Sequence, residues 1–218
     1  MIKKYVKRIC SSLFAILMLF VFSACSQQPK QQQTEQPQQN ETETQSEVQS
    51  QQTVTTVQNN NTFVIYFSAT GNTETVANYI ADTLNADIYQ IIPEQQYTSE
   101  DLDWTENSSR VNAEHNDPDF RPEIAGELPE LSSYDTVFIG YPIWWGEAPN
   151  IVKTFVENVD FTGKTIIPFC TSSSSGIGSS GETLEALTSG ANWLEGQRFS
   201  SGVDQSDVVE WVNGITIE

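Results

Sequence analysis

The stretch that most constrains this chain is an apolar run, Phe63-Val64-Ile65-Tyr66-Phe67, joined directly to Ser68-Ala69-Thr70-Gly71-Asn72-Thr73. A short, unbroken apolar run of this kind reads as a strand buried on both faces. Val76, Ile80 and Leu84 follow at helical spacing, with Ala77 and Ala81 beside them, so a helix is expected from about Thr73 to Leu84. A hydroxyl-rich turn with one Gly between a strand and a helix suits a phosphate. The helix N-terminus offers unpaired N–H groups and the positive end of its dipole. Ser68, Thr70 and Thr73 can add hydroxyl donors. The loop holds no Lys or Arg, and the Walker pattern is absent, which favours a monophosphate over a nucleoside triphosphate. The plainer alternative is a Ser or Thr that merely caps the helix.

Three regions are expected. Residues 1–25 carry Lys3, Lys4, Lys7 and Arg8, then an apolar run from Leu13 to Phe22, as in an export signal. The run is shorter than the roughly 20 residues that span a bilayer. It ends in Phe22-Ser23-Ala24-Cys25, which resembles the lipobox of bacterial lipoproteins, where the Cys is lipidated. Phe22 stands where that pattern usually has Leu. Residues 26–61 hold 13 Gln among Thr, Ser, Asn and Glu, too few apolar groups to offset the entropy of ordering. This reads as a disordered tether with an r.m.s. span of roughly 35 Å. Residues 62–218 are then one folded domain.

That domain has 25 Asp and Glu against five bases, Arg110, Arg121, Lys153, Lys164 and Arg198. Its charge disfavours nucleic acid and bare anionic membrane as partners and suits a basic protein or a cationic acceptor. Membrane contact is therefore expected through the lipid on Cys25 alone, with the domain held outside the cytoplasmic membrane. Cys170 is the one Cys outside the leader region, so no internal disulfide and no cysteine metal cluster are expected. His115, the single His, reads as a surface residue.

Within the domain, strands are expected at Phe63–Phe67, Asp87–Ile92, Thr136–Ile139, Thr165–Cys170 and Gly196–Phe199, with helices between them. The polar stretch 93–132 is long for a bare connection and should hold short helices or a function. Pro168 conflicts with a central ladder and should sit where the strand bends or lacks a partner. Alternation of β and α gives an α/β fold, a doubly wound parallel sheet of order 2-1-3-4-5 with helices on both faces. Ligands of such sheets sit outside the carboxyl ends of strands one and three. Strand three leads into Tyr141-Pro142-Ile143-Trp144-Trp145-Gly146, an aromatic loop that a flat ligand could cover. Strand four leads into Thr171-Ser172-Ser173-Ser174-Ser175-Gly176-Ile177-Gly178, small and polar enough to approach a ring edge.

With these three loops the chain resembles the flavodoxin family, and more closely its longer bacterial subgroup. The resemblance covers residues 62–213. It rests on Ser-Ala-Thr-Gly-Asn-Thr at 68–73, Gly-Tyr-Pro-Ile-Trp-Trp-Gly at 140–146, Pro-Phe-Cys-Thr at 168–171 and Ser-Ser-Gly-Ile-Gly at 174–178. Ser109-Arg110, Glu114-His115-Asn116-Asp117 and Arg121-Pro122 add to it. The resemblance implies a flavodoxin-like five-stranded fold and FMN, with phosphate on Ser68, Ala69, Thr70, Gly71, Asn72 and Thr73. It places the flavin ring between the Trp loop and the Ser/Gly loop. Three functions fit: an electron carrier serving a redox protein or small acceptor, an NAD(P)H-dependent flavin or quinone reductase, and a flavin-binding module without turnover. No dinucleotide fingerprint is present, while Arg110 and Arg121 in the insertion could serve a nicotinamide or substrate lid.

Overall fold

A computed structural model of the protein describes residues 55–56 and 61–217. The expected signal segment, Cys25 and nearly all of the Gln-rich tether lie outside the described residues. Among the described residues no helix is long and apolar enough to cross a membrane.

In chain order the elements are β1 (Thr55–Thr56), β2 (Thr62–Tyr66), α1 (Asn72–Leu84), β3 (Asp87–Gln90), α2 (Arg110–Asn116), β4 (Thr136–Pro142) and α3 (Asn150–Asn158). There follow β5 (Thr165–Thr171), α4 (Ser180–Glu185), β6 (Asn192–Trp193), β7 (Gln197–Phe199), α5 (Gln205–Gly214) and β8 (Thr216–Ile217). The main sheet runs β3-β2-β4-β5, and β6 and β7 both pair with β5. Every pairing in it is parallel. This is the expected order 2-1-3-4-5, with the fifth strand in two pieces. The short strands β1 and β8 pair antiparallel in a separate sheet.

Alternate residues of the strands feed two cores, as the two-residue period of a strand requires. Val64, Tyr66, Phe138 and Ile167 pack with Val76 and Ile80 of α1 and Val208 and Val212 of α5. Ile65, Val137, Ile139 and Ile166 pack on the other face with Ile151, Val152 and Phe155 of α3 and Leu184 of α4. The sheet is therefore covered on both faces, which is why its strands read as continuous apolar runs. The stretch 93–132 carries α2 and an antiparallel bridge between Pro93 and Ile124. Its end is tied to β5 by buried Lys164, whose Nζ donates to the carbonyls of Leu131 at 2.6 Å and Tyr134 at 2.7 Å.

The break in the fifth strand lies beside Pro168. On one side Pro168 pairs in register with Ile139 of β4. On the other side β6 covers Thr165 and Ile166, β7 covers Phe169 to Thr171, and the two residues between them have no ladder partner. A proline supplies no N–H, so the neighbouring strand has nothing to pair with there and steps away. Gly196 makes that step. A side-chain carbon on it would lie 2.6 Å from the Pro168 carbonyl oxygen and 2.5 Å from Ile177 Cδ1. Gly196→Ala should therefore lower stability by about 1–3 kcal/mol through overpacking. Gly214→Ala, with open space around it in α5, should leave stability unchanged or raise it by up to about 1 kcal/mol. Urea unfolding midpoints of the two variants check the contrast.

Candidate functional site

The loop after β2 reaches α1 through Gly71, the N-cap, held left-handed at φ 85°. No side chain caps the helix. The Ser68 hydroxyl instead accepts from the Gly71 N–H at 3.0 Å, and Thr70 Oγ1 accepts from Asn72 Nδ2 at 3.0 Å. The loop thus folds its hydroxyls onto itself and leaves the first turn of α1 without a side-chain acceptor. That is the arrangement of an anion cradle rather than of a self-capped helix. Thr73 is buried, and its Oγ1 lies 2.8 Å from Thr171 Oγ1, past the end of the intervening β4. This bond fastens the first loop to the third.

β4 continues to Pro142, further than the sequence suggests, because residues 140–142 pair with β5. Tyr141, expected on the binding loop, is consequently a core residue. The strand pleat turns it toward α4, where its hydroxyl meets Ser180 Oγ at 3.0 Å, and burial pushes its pKa up. Beyond β4 the chain makes a two-residue hairpin. The Trp144 and Glu147 backbones exchange two hydrogen bonds of 2.9 Å, with Trp145 at φ 54° and Gly146 at φ 86° at the tip. Two successive positive φ values make a type I′ turn, in which Gly at the second position is ordinary and Trp at the first is not. The two Trp rings go different ways. Trp144 meets Phe67 and Tyr97 edge-on at 5.6 and 5.2 Å. Trp145, 47% exposed, stacks on His115 at 5.1 Å and meets Trp104 edge-on at 6.3 Å. His115 is a surface residue as expected, and its ring also carries this stack.

A cavity of about 270 Å³ opens between these two loops and the insertion. Ala69, Thr70 and Thr73 line one side, and Pro142, Ile143, Trp144 and Trp145 another. Leu102, Trp104 and Val111 of the insertion close it. Those three residues were missed by sequence reasoning. A Trp at 104 within a strongly polar stretch was the available signal. The insertion is held in place by a buried cluster. Glu114 accepts from Arg110 Nε at 2.7 Å and from Tyr97 OH at 2.7 Å, while the Arg110 guanidinium lies 4.0 Å over the Tyr97 ring. Burial first, and then the Glu114 carboxylate, push the Tyr97 pKa up. Arg121 makes a two-point pair with Glu157 of α3 at 2.7 and 2.9 Å. Both insertion arginines are thus engaged within the protein.

The third loop differs from expectation. Thr171 is buried against Thr73, and Ser172 is held by Arg198, whose Nη2 donates to the Ser172 carbonyl at 2.6 Å. Ser172 Oγ also donates to the Ser175 carbonyl. Ser173, Ser174 and Gly176 are exposed, and none of these five residues lines the cavity. At its start the Thr171 carbonyl accepts from the Ile143 N–H at 2.9 Å, and at its far end a side-chain carbon at Gly178 would lie 3.9 Å from the Gly146 carbonyl. Leu102, Trp104 and Val111 of the insertion line this cavity, and residues 171–178 do not. No group of three or more metal-ligating side chains occurs among the described residues.

Trp145 holds a backbone conformation that costs a bulky residue about 1–3 kcal/mol. Trp145→Asn, which tolerates positive φ, should raise the thermal midpoint of the ligand-free protein. Cys170 is buried in β5, and burial pushes its thiol up to about 12. At pH 8 it should resist thiol reagents in the folded protein and label fully after denaturation, as read by peptide mass mapping at Cys170.

Residues 61–215 match the family model described as Flavodoxin. A candidate flavoprotein from Bacteroides uniformis is 41% identical, with a TM-score of 0.67 over 71% of this chain and 99% of that one. Another from Bacteroides eggerthii is 43% identical, with a TM-score of 0.65 over 71% of this chain and 96% of that one. A Lactobacillus acidophilus flavoprotein solved in complex with FMN is 21% identical, with a TM-score of 0.53 over 70% of this chain and 98% of that one, a likeness of fold. No curated protein matches. With the sheet order, the phosphate-type loop and the Trp hairpin in place, the chain belongs to the flavodoxin family.

Proposed function

We propose that this protein binds FMN and serves as an electron carrier at the outer face of the cytoplasmic membrane. The observation that carries the reading is the uncapped α1 N-terminus, ringed by Ser68 and Thr70 and opening into the Trp-lined cavity. Family membership and the FMN complex of the Lactobacillus acidophilus relative support the choice of cofactor. In this reading the N–H groups and hydroxyls of residues 68–73 hold the phosphate, and the Trp hairpin flanks the ring. The bound cofactor supplies one- or two-electron transfer. The protein contributes binding, exclusion of water and charge. Its acidic field disfavours added negative charge on the reduced ring within about 10 Å at ordinary ionic strength. The same field suits a basic redox protein or a cationic small acceptor.

The alternative is an NAD(P)H-dependent oxidoreductase. The carrier is favoured because Arg110 and Arg121, the cations available for a nicotinamide dinucleotide, are committed to Glu114 and Glu157. Anaerobic mixing of the FMN-loaded protein with NADH and NADPH separates the readings, since fast bleaching of the flavin band would establish the enzyme. The anchor is part of the proposal. Its support is the order of basic residues, apolar run and Cys25, followed by the Gln-rich segment. Two acyl chains on Cys25 would hold the protein stably where one is marginal. Cys25→Ala should move the protein from the membrane to the soluble fraction on fractionation. A variant that stays on the membrane would remove the anchor.

FMN should bind more tightly than riboflavin. Thr70→Ala should weaken FMN by about 1.5–3 kcal/mol, the range for a hydrogen bond to a charged group, and leave riboflavin nearly unchanged. Titration by flavin fluorescence measures both. Equal affinity for the two flavins would sink the phosphate assignment.

A further inference from the structure

Thr171, the last residue of β5, is held by its backbone on both sides. It pairs with Pro142 of β4 and Phe199 of β7, and its carbonyl accepts from the Ile143 N–H at 2.9 Å. The next residue is fixed too, since Arg198 donates to the Ser172 carbonyl at 2.6 Å and to its hydroxyl at 3.1 Å. From this fixed point the Thr171 hydroxyl reaches Thr73 Oγ1 at 2.8 Å. Both residues are buried, Thr73 at 1% exposure and Thr171 at 5%. Two hydroxyls bring two protons, and the single bond between them uses one. Neither oxygen has another partner among the described residues. One buried O–H is therefore left with a proton to donate. Thr73 lines the cavity beside Ala69 and Thr70, whereas Thr171 does not.

We propose that Thr171 is a positioning residue for the phosphate site: its hydroxyl donates to Thr73 Oγ1 and so turns the Thr73 proton toward a phosphate oxygen of the flavin nucleotide. The role deepens the FMN reading and rests on it. A phosphate dianion offers acceptors only, so a hydroxyl serves it as a donor. The Thr73 proton has a competing acceptor 2.8 Å away in the Thr171 oxygen. With Thr171 as the donor of that bond, the Thr73 oxygen is already supplied and its own proton is left for the cavity. The third loop, which lines none of this cavity, thereby acts on the ligand through the first. A flavin without the phosphate gains nothing from the arrangement. Thr171 is thus a determinant of FMN over riboflavin.

The test is fluorescence titration of the full-length protein with FMN and with riboflavin, in wild type, Thr171→Val, Thr171→Ser, Thr73→Val and the double Val variant. Thr171→Val keeps the side-chain shape and the backbone carbonyl that holds Ile143, and removes the donor. It should weaken FMN about five- to tenfold and leave riboflavin within about twofold. Thr171→Ser, which keeps the hydroxyl, should stay within about threefold of wild type for both flavins. In the double variant Thr171→Val should add less than about twofold to the loss of FMN affinity caused by Thr73→Val, because a residue that acts through Thr73 has nothing to act on once that hydroxyl is gone. Equal loss of both flavins in Thr171→Val would mark a packing role and overturn the proposal. Unchanged FMN affinity in that variant, loss of affinity in Thr171→Ser, or full additivity of the two Val substitutions would overturn it as well. Wild type that binds FMN no more tightly than riboflavin would remove the phosphate reading, and this role with it.

Discussion

The site end of this molecule depends on three strands standing in register, with Tyr66, Gly140 and Phe169 side by side in β2, β4 and β5. Gly140 makes that register possible. The Phe169 ring lies across it, and a side-chain carbon at 140 would fall 2.1 Å from Phe169 Cζ. With the three strands level, their carboxyl ends deliver the Ser68–Thr73 loop, the Trp hairpin and the Thr171 loop to one edge of the sheet. The Thr73–Thr171 hydroxyl pair then joins the outer two of these loops directly. Parallel pairing buried on both faces holds the ends rigid, so polar groups placed there keep their spacing without a ligand.

On that rigid edge the flexible parts of the sequence are pinned by a few polar contacts of high sequence separation. Asn150, the first residue of α3, reaches back to carbonyls at the end of α2, and Arg121 reaches forward to Glu157. Glu114, Arg110 and Tyr97 close the insertion from inside, and Tyr97 in turn abuts Trp144. The result is that the insertion wall and the Trp hairpin are one packed unit. The left-handed Trp145 is held by that unit and presents its ring outward beside Trp104. Trp145 keeps its positive φ at an exposed position beside the cavity, where such strain costs about 1–3 kcal/mol.

The fold was legible because it is written in local pattern: continuous apolar strands, helical stripes in α1 and α3, and a proline whose missing N–H predicted a gap in the ladder. The first loop was legible because residue type and position coincide there. The remainder depended on tertiary choices that period and propensity do not encode. Tyr141 is buried in the core because β4 ran on to Pro142, a matter of how long β5 could pair with it. The start of the Ser/Gly loop is set by Arg198, distant in sequence, which holds Ser172. Leu102, Trp104 and Val111 entered because α2 folded over the sheet end. A polar insertion with a single conspicuous Trp gives little warning of that in one sequence.

The distribution of cations ties the fold to the chemistry of the site. Of the five bases in residues 62–218, Arg110 is spent on Glu114 and Arg121 on Glu157. Lys164 is buried on two backbone carbonyls, and Arg198 holds Ser172. Lys153 stands on α3 and acts electrostatically on Glu157 of the same helix. Four of five positive charges thus serve to position loops, while most of the 25 acidic side chains face solvent without a cation beside them. The outward field is negative, as 25 acidic against five basic side chains require. A group at the site edge lies in that negative field, which screening confines to charges within about 10 Å at ordinary ionic strength. Such a field disfavours added negative charge on any group bound at that edge.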